Sequence, residues 1–159
     1  MRKYKVFLDA GIYIAGAGSA LGGSRQILDW CAQRLLQPLT SRQILIEARR
    51  NVAKKLPRAV AALEQIIQVV DADLASEPTV EEIGNATQVV PEKDAPILAA
   101  ARKAEVDYLV TLDRKHFKQP KVQETVPFPI LLPEEFAPLI RSELAKEAAE
   151  QEKTEEGQR

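Results

Sequence analysis

One cysteine and one histidine are the only thiol and imidazole groups in this 159-residue sequence. A single cysteine excludes an internal disulfide, and without CxxC pairs or His-rich spacing there is no zinc-site signature. Aromatic residues are scarce, at 5%, which argues against a surface built to stack successive bases. No apolar run approaches the ~20 residues of a membrane span. The first apolar residues read as a strand and not as the core of a signal peptide, so no membrane partner and a cytoplasmic location are expected. Net charge is only −1, which excludes a polyanion binder that relies on overall positive charge. What remains is an ordinary globular composition, 45% hydrophobic and 28% charged, in one domain long enough to bury a core without staples.

The near-neutral total hides an uneven distribution. Arg42, Arg49, Arg50, Lys54, Lys55 and Arg58 share the stretch 42–58 with Glu47 as its only acid. A second basic group, Arg114, Lys115, Lys118 and Lys121, follows Asp113, whereas 64–94 is acidic with Lys93 as its only base. Solvated helix faces explain such runs, and so does a surface that guides a polyanion to one side.

Short apolar runs alternate with helical periodicity along the chain. Residues 4–8 predict a buried strand, and Gly16, Gly18, Gly22 and Gly23 within 12–23 predict a flexible loop. Ser24 is placed to cap a helix reaching about Leu36, with Ile27, Leu28, Cys31 and Leu35 on its core stripe. Residues 37–40 allow a short strand limited by Pro38, and Ser41 opens a helix to about Lys55. Pro57 starts a further helix through Ile67, and Val69-Val70 reads as a strand. Thr79 to Gly84 predicts a short helix, 94–104 another, 107–112 a strand and 129–132 a last short strand before a helix entered at Pro133. This alternation predicts an α/β fold: a three-layer α/β/α sandwich with a central, mainly parallel sheet. The domain is expected to span 1–140, with 141–159 a charged tail, helical for a few turns and then disordered.

Four acids stand at structurally equivalent points of that pattern. Asp9 and Asp113 each end an apolar strand, while Glu47 and Asp94 lie near helix N-termini. Alone, each has a plain reading: Asp9 and Asp113 as turn residues, Glu47 as an exposed partner of Arg50, Asp94 as a cap ahead of Pro96. Together they would meet outside the carboxyl ends of a parallel sheet, where sites form. Gathered carboxylates repel and raise one another's pKa unless a cation is present. An all-carboxylate set suits Mg²⁺ or Mn²⁺, and metal-assisted hydrolysis of a phosphodiester is the leading chemistry. Thr111 and Ser41 are placed to hydrogen-bond the carboxylates.

The same residues carry a family resemblance. The segment from Phe7 to Ile14, with Asp9, resembles the opening of PIN domains. Thr40 to Asn51, bearing Glu47, resembles their second motif; Lys93 to Ala101, with Asp94, the third; and Asp107 to Phe117, with Asp113, the fourth. The resemblance covers about Val6 to Phe136. It implies a Mg²⁺- or Mn²⁺-dependent ribonuclease acting on single-stranded or structured RNA, with Asp9, Glu47, Asp94 and Asp113 as catalytic metal ligands for one ion or two. Many bacterial members are toxins held by an antitoxin protein, and homodimers are expected. Arg49, Arg50 and Arg114 would contact flanking phosphates.

Two positions depart from the family pattern. Gly11 stands where Asn or Ser is common, and Leu112 replaces a small or polar residue before the last Asp. All four carboxylates remain, so metal binding is expected to survive. A catalytically weak or inactive RNA- or protein-binding module is the alternative. The glycine stretch 16–23 has GxGxxxG spacing, one residue too long for a dinucleotide fingerprint and set too far past the strand; it is expected to form a mobile rim of the acidic pocket. His116 reads as a loop residue beside Phe117, with general-acid work as its other use, and Tyr13 and Trp30 read as packing.

Overall fold

A computed structural model describes residues 3–159. Its elements run β1 (Lys5–Leu8), α1 (Ala10–Gly18), α2 (Gly23–Ala32), β2 (Gln37–Thr40), α3 (Arg42–Lys55), a 3-10 turn (Pro57–Ala59), α4 (Val60–Val70) and β3 (Asp73–Leu74). They continue through α5 (Val80–Ala86), α6 (Ala95–Lys103), β4 (Tyr108–Val110), α7 (Arg114–Phe117), α8 (Pro120–Gln123), β5 (Ile130–Leu131) and α9 (Pro133–Gly157). The five strands form one parallel sheet in the order β3-β2-β1-β4-β5. Helices α1 to α4 pack on one another and, through α2, on α9; α5 packs on α6. The architecture is the three-layer α/β/α sandwich that alternation predicts.

The strand order reverses beside β1. From β1 the chain winds outward to β2 and β3, then returns to lay β4 on the other flank of β1. Val6, Phe7 and Leu8 pair with Tyr108, Leu109 and Val110, and β1 is fully buried from Val6 onward. Burial on both faces explains why these strands read as continuous apolar runs. The crevice beyond the carboxyl ends of β1 and β4 is the switch point of the sheet.

Pro38 does fit within β2. Gln37 N–H donates to the Tyr4 carbonyl (2.9 Å), so alternation turns the nitrogen of position 38 toward β3, which pairs only with Leu39 and Thr40. Ser41 caps α3 as expected, its hydroxyl accepting from Ile44 N–H at 3.2 Å. Thr79 and Glu82 form a reciprocal capping box on α5.

Elsewhere the structure departs from expectation. The predicted glycine loop is largely helix: α1 runs to Gly18, and the loop shrinks to residues 19–22. Gly16 serves packing here, because a Cβ at that position would lie 2.3 Å from Leu28 Cδ1 on α2. Gly22, at φ +110°, and not Ser24, precedes α2, and α2 stops at Ala32, just before Arg34 in the left-handed region (φ 63°). Val69-Val70 is the end of α4 and not a strand. Leu63, Ile66 and Val70 are its buried residues at helical spacing, and Asp71 terminates it at φ 44°. Residues 111 and 112, expected in β4, lie beyond its end at Val110. Cys31 is fully buried and its thiol is pushed up to about 12 by that burial, as a core residue's would be; Tyr13 and Trp30 are also core. No described helix is long and apolar enough to cross a membrane.

The charged tail, expected to lose order after a few turns, continues as helix to Gly157, and no residue after Ile140 is buried. Leu144 is the last side chain packed against the core. Ending the chain after Leu144 is therefore expected to leave the thermal midpoint within about 3 °C of the full chain's, since exposed helix contributes little without tertiary contacts. A fall of more than about 8 °C in a calorimetric scan would show that the distal helix is stabilising.

Candidate active site

Asp9 leaves β1 still attached to the sheet: its N–H donates to the Val110 carbonyl (3.2 Å), which fixes it beside the end of β4. Its two carboxylate oxygens have separate partners. Oδ1 accepts from Ala10 N–H at 2.7 Å, capping α1, and Oδ2 accepts from the Thr111 hydroxyl at 2.7 Å. Thr111 is fully buried, and its oxygen also accepts from Asp113 N–H at 3.0 Å. Asp113 in turn caps α7, with Oδ1 accepting from His116 N–H (3.0 Å) and Oδ2 lying 2.9 Å from His116 Nδ1. One continuous hydrogen-bond chain thus joins the ends of the two central strands.

Asp94 sits at the cap position of α6 yet makes no capping bond. Its side chain is instead buried at the rim. Residue exposure is 8%, and Oδ2 has no hydrogen-bond partner, although His116 Nδ1 lies 3.2 Å away in poor bonding geometry. The helix-cap explanation of Asp94 therefore fails, since a capping side chain would turn back on its own helix.

Glu47, half-buried on α3, faces an open groove of about 550 Å³ shared with Asp94, Arg42, Arg50 and Lys93. Gln43 reaches the Lys93 carbonyl (3.5 Å) across this groove and ties α3 to the loop that carries Asp94. A larger hollow of about 740 Å³ lies away from these acids, between α5, α6 and the segment after α8.

Electrostatics link all four acids. Burial raises the Asp9 carboxyl from 3.8 to about 6, against the lowering by its bonds to Thr111 and Ala10 and with further raising by Glu47 and Asp94. Asp94 is raised by burial and then by Asp113, opposed by Lys93 and His116. Mutual repulsion of this kind requires proximity. The tightest set among the described residues is Asp94, Asp113 and His116, each offering a ligand atom within 4.8 Å of the others. Asp9 and Glu47 are not part of that set.

The residues expected to assist divide. Thr111 bonds two of the acidic residues, as its placement implied, whereas the Ser41 hydroxyl is used to cap α3. Arg50 lines the groove. Arg49 is instead held in a two-pronged pair with Glu64 (2.8 and 3.2 Å), and Arg114 pairs with Glu134. Both pairs are largely exposed, so they bias these side chains without locking them. His116, read from the sequence as a loop residue with general-acid work as its other use, stands against two of the acids. Its signal was the spacing: three residues after a helix-capping Asp, a side chain returns to the face of that cap. Leu112 borders the space a side chain at position 11 would need: a Cβ added to Gly11 would lie 3.3 Å from Leu112 Cβ, and Leu112 is 46% exposed.

A raised carboxyl pKa means the folded state holds that proton more tightly than the unfolded chain does. Below 3.8 both states are protonated and Asp9 adds no pH dependence; as pH climbs through about 6, folding must ionise a buried group and stability falls. The cost is about 3 kcal/mol once ionisation is complete. Urea unfolding in EDTA is expected to show the wild type losing up to about 3 kcal/mol relative to Asp9→Asn between about pH 4 and pH 7. Parallel profiles would mean that Asp9 ionises without penalty.

Comparison with known proteins bears on the family and the fold. A family model described as the PIN domain matches residues 5–115. No curated protein matches the sequence. Among solved structures, VapBC2 from Rickettsia felis bound to a promoter DNA fragment aligns with TM-score 0.60 at 17% identity, covering 80% of this chain and 98% of that one. DNA-bound VapBC from Salmonella typhimurium gives TM-score 0.60 at 18% identity, covering 82% and 98%. A sarcin–ricin-loop-cleaving VapC toxin from Mycobacterium tuberculosis gives 0.52 at 16% identity, covering 71% and 93%. Identities this low carry the shared fold, while the family match spans most of the sequence, acids included. The chain belongs to the PIN domain family, whose members are generally nucleases.

Proposed function

We propose that this protein is a divalent-metal-dependent endoribonuclease that hydrolyses phosphodiester bonds of single-stranded RNA, and that it is the toxin of a toxin–antitoxin pair. The observation that carries the reading is the buried Asp94 oxygen without a hydrogen bond, set beside the Asp9–Thr111–Asp113 chain. An unpaired buried acceptor next to further carboxylates is costly unless a cation completes it. The donor set therefore fits Mg²⁺ or Mn²⁺, held by Asp94 and Asp113 with Asp9 and Glu47 alongside. Such an ion supplies Lewis acidity toward a phosphate oxygen and a water of lowered pKa.

The chain's own residues do the positioning. Thr111 holds Asp9 and the backbone of Asp113 in fixed relation, so the acceptor oxygens need little rearrangement. Arg42, Arg50 and Lys93 ring the groove at Glu47 and offer contacts to flanking phosphates. The fold relative that cleaves the sarcin–ricin loop supports RNA as substrate, and those solved as VapBC assemblies support an antitoxin partner. A homodimer is part of the same proposal.

The apposition of Leu112 to the missing side chain of position 11 favours a second reading, a PIN-like module that binds RNA or protein without cutting it. The polar side chain common at position 11 is missing, and an apolar one stands against its place. The readings separate on cleavage. With Mn²⁺ or Mg²⁺, single-stranded RNA is expected to be cut, with no cutting in EDTA and a loss of about 100-fold or more for Asp113→Asn. Arg50→Ala is expected to weaken RNA binding and lower the salt slope by about 0.7, one phosphate contact on a single strand. Cleavage undiminished in EDTA would overturn the metal mechanism. Binding without cutting, even in the double variant Gly11→Asn with Leu112→Gly, would establish the inactive module.

A further inference from the structure

Beyond the four carboxylates, the rim holds an imidazole. His116 Nδ1 lies 2.9 Å from Asp113 Oδ2 and 3.2 Å from Asp94 Oδ2. Adjacent ligands around a six-coordinate ion with bonds near 2.1 Å stand about 3 Å apart, so both separations match two edges of one coordination shell. Asp94 Oδ2 is buried and has no hydrogen bond, so the nearby ring does not satisfy it. The ring is also held in place. Its backbone N–H is bound to Asp113 Oδ1 at 3.0 Å, and the histidine lies on the short α7 that Asp113 caps.

We infer that His116 Nδ1 is a ligand of the cation held by Asp94 and Asp113, giving a face of two carboxylate oxygens and one imidazole nitrogen that prefers a divalent transition ion to Mg²⁺. The inference rests on the metal reading of the preceding subsection and adds the nitrogen donor to it. Mg²⁺ favours oxygen ligands and water, whereas an imidazole suits first-row transition ions, which gain affinity from a nitrogen. Ligation requires the Nδ1 lone pair. The ligating ring carries its proton on Nε2. His116 then orients nothing through a second residue: it touches the ion itself.

The sequence provides its own spectroscopic label, because His116 is the only histidine. Tag-free full-length protein is loaded with Mn²⁺ alone, and pulsed EPR is recorded with natural-abundance and with ¹⁵N-histidine protein. A directly bound nitrogen is expected to give a strong coupling that changes with the isotope. Isothermal titration is expected to show His116→Gln weakening Mn²⁺ by about 10-fold or more while changing Mg²⁺ by less than about 3-fold. The labelled wild type needs no substitution, so misfolding of the variant does not blur the result. Mn²⁺ bound without histidine coupling would overturn the inference and leave the carboxylate site standing, with His116 only a hydrogen-bond partner of Asp113. Failure of Mn²⁺ to bind at all would overturn both this inference and the metal reading beneath it.

Discussion

The bond from the buried Thr111 hydroxyl to Asp9 Oδ2 closes the carboxyl ends of β1 and β4 into one rim. Without it, the two strands would still pair through Val110, but the acids that follow them would be free to diverge. A hydrogen bond to a charged acceptor contributes about 1.5–3 kcal/mol. It acts against the burial penalty, and the rise of Asp9 to about 6 is what remains after this bond has lowered it, so the bond reduces the cost of keeping a carboxylate there without cancelling it. The rim is thus a place where the fold tolerates charge instead of gaining from it. Asp94, raised by burial and by Asp113, repeats the pattern. Groups whose repulsion persists in the folded state are positioned to gain from a cation.

The parts of this arrangement that were legible in the sequence are those where local chemistry and global position agree. A buried apolar strand ended by Asp9 needs no tertiary knowledge, nor does Ser41 capping the helix that carries Glu47. Asp94 was legible as a site residue only jointly with the others. Its own local signal, an acid ahead of Pro96, pointed to a helix cap that the structure does not form. The misread parts are those settled by contacts distant in sequence. Gly16 looks like part of a flexible loop until Leu28 is seen to occupy the space a side chain would need. Val69-Val70 looks like a strand because two adjacent β-branched residues carry no period; Leu63 and Ile66 supply the helical one. His116 is an ordinary loop residue until α7 turns its ring toward Asp94.

Charge distribution needs a similar revision. The two basic stretches do not act as uniform patches, because Arg49 is drawn to Glu64 and Arg114 and Lys118 to the acids opening α9. What remains beside the acidic rim is a narrower set, Arg42, Arg50 and Lys93, around the groove of Glu47. In the proposed function, that juxtaposition of cations with a carboxylate rim would let a phosphate chain approach acids that otherwise repel it. On the proposed ribonuclease reading, this local set is what a polyanion would meet on a protein of net charge −1.

That the acids at the switch point form a cation site is tested most directly by anomalous diffraction from crystals soaked in Mn²⁺. The expected map has a peak within about 2.5 Å of carboxylate oxygens of both Asp94 and Asp113. A fully soaked crystal with no peak at this rim, or with its ions bound only elsewhere, would contradict the claim.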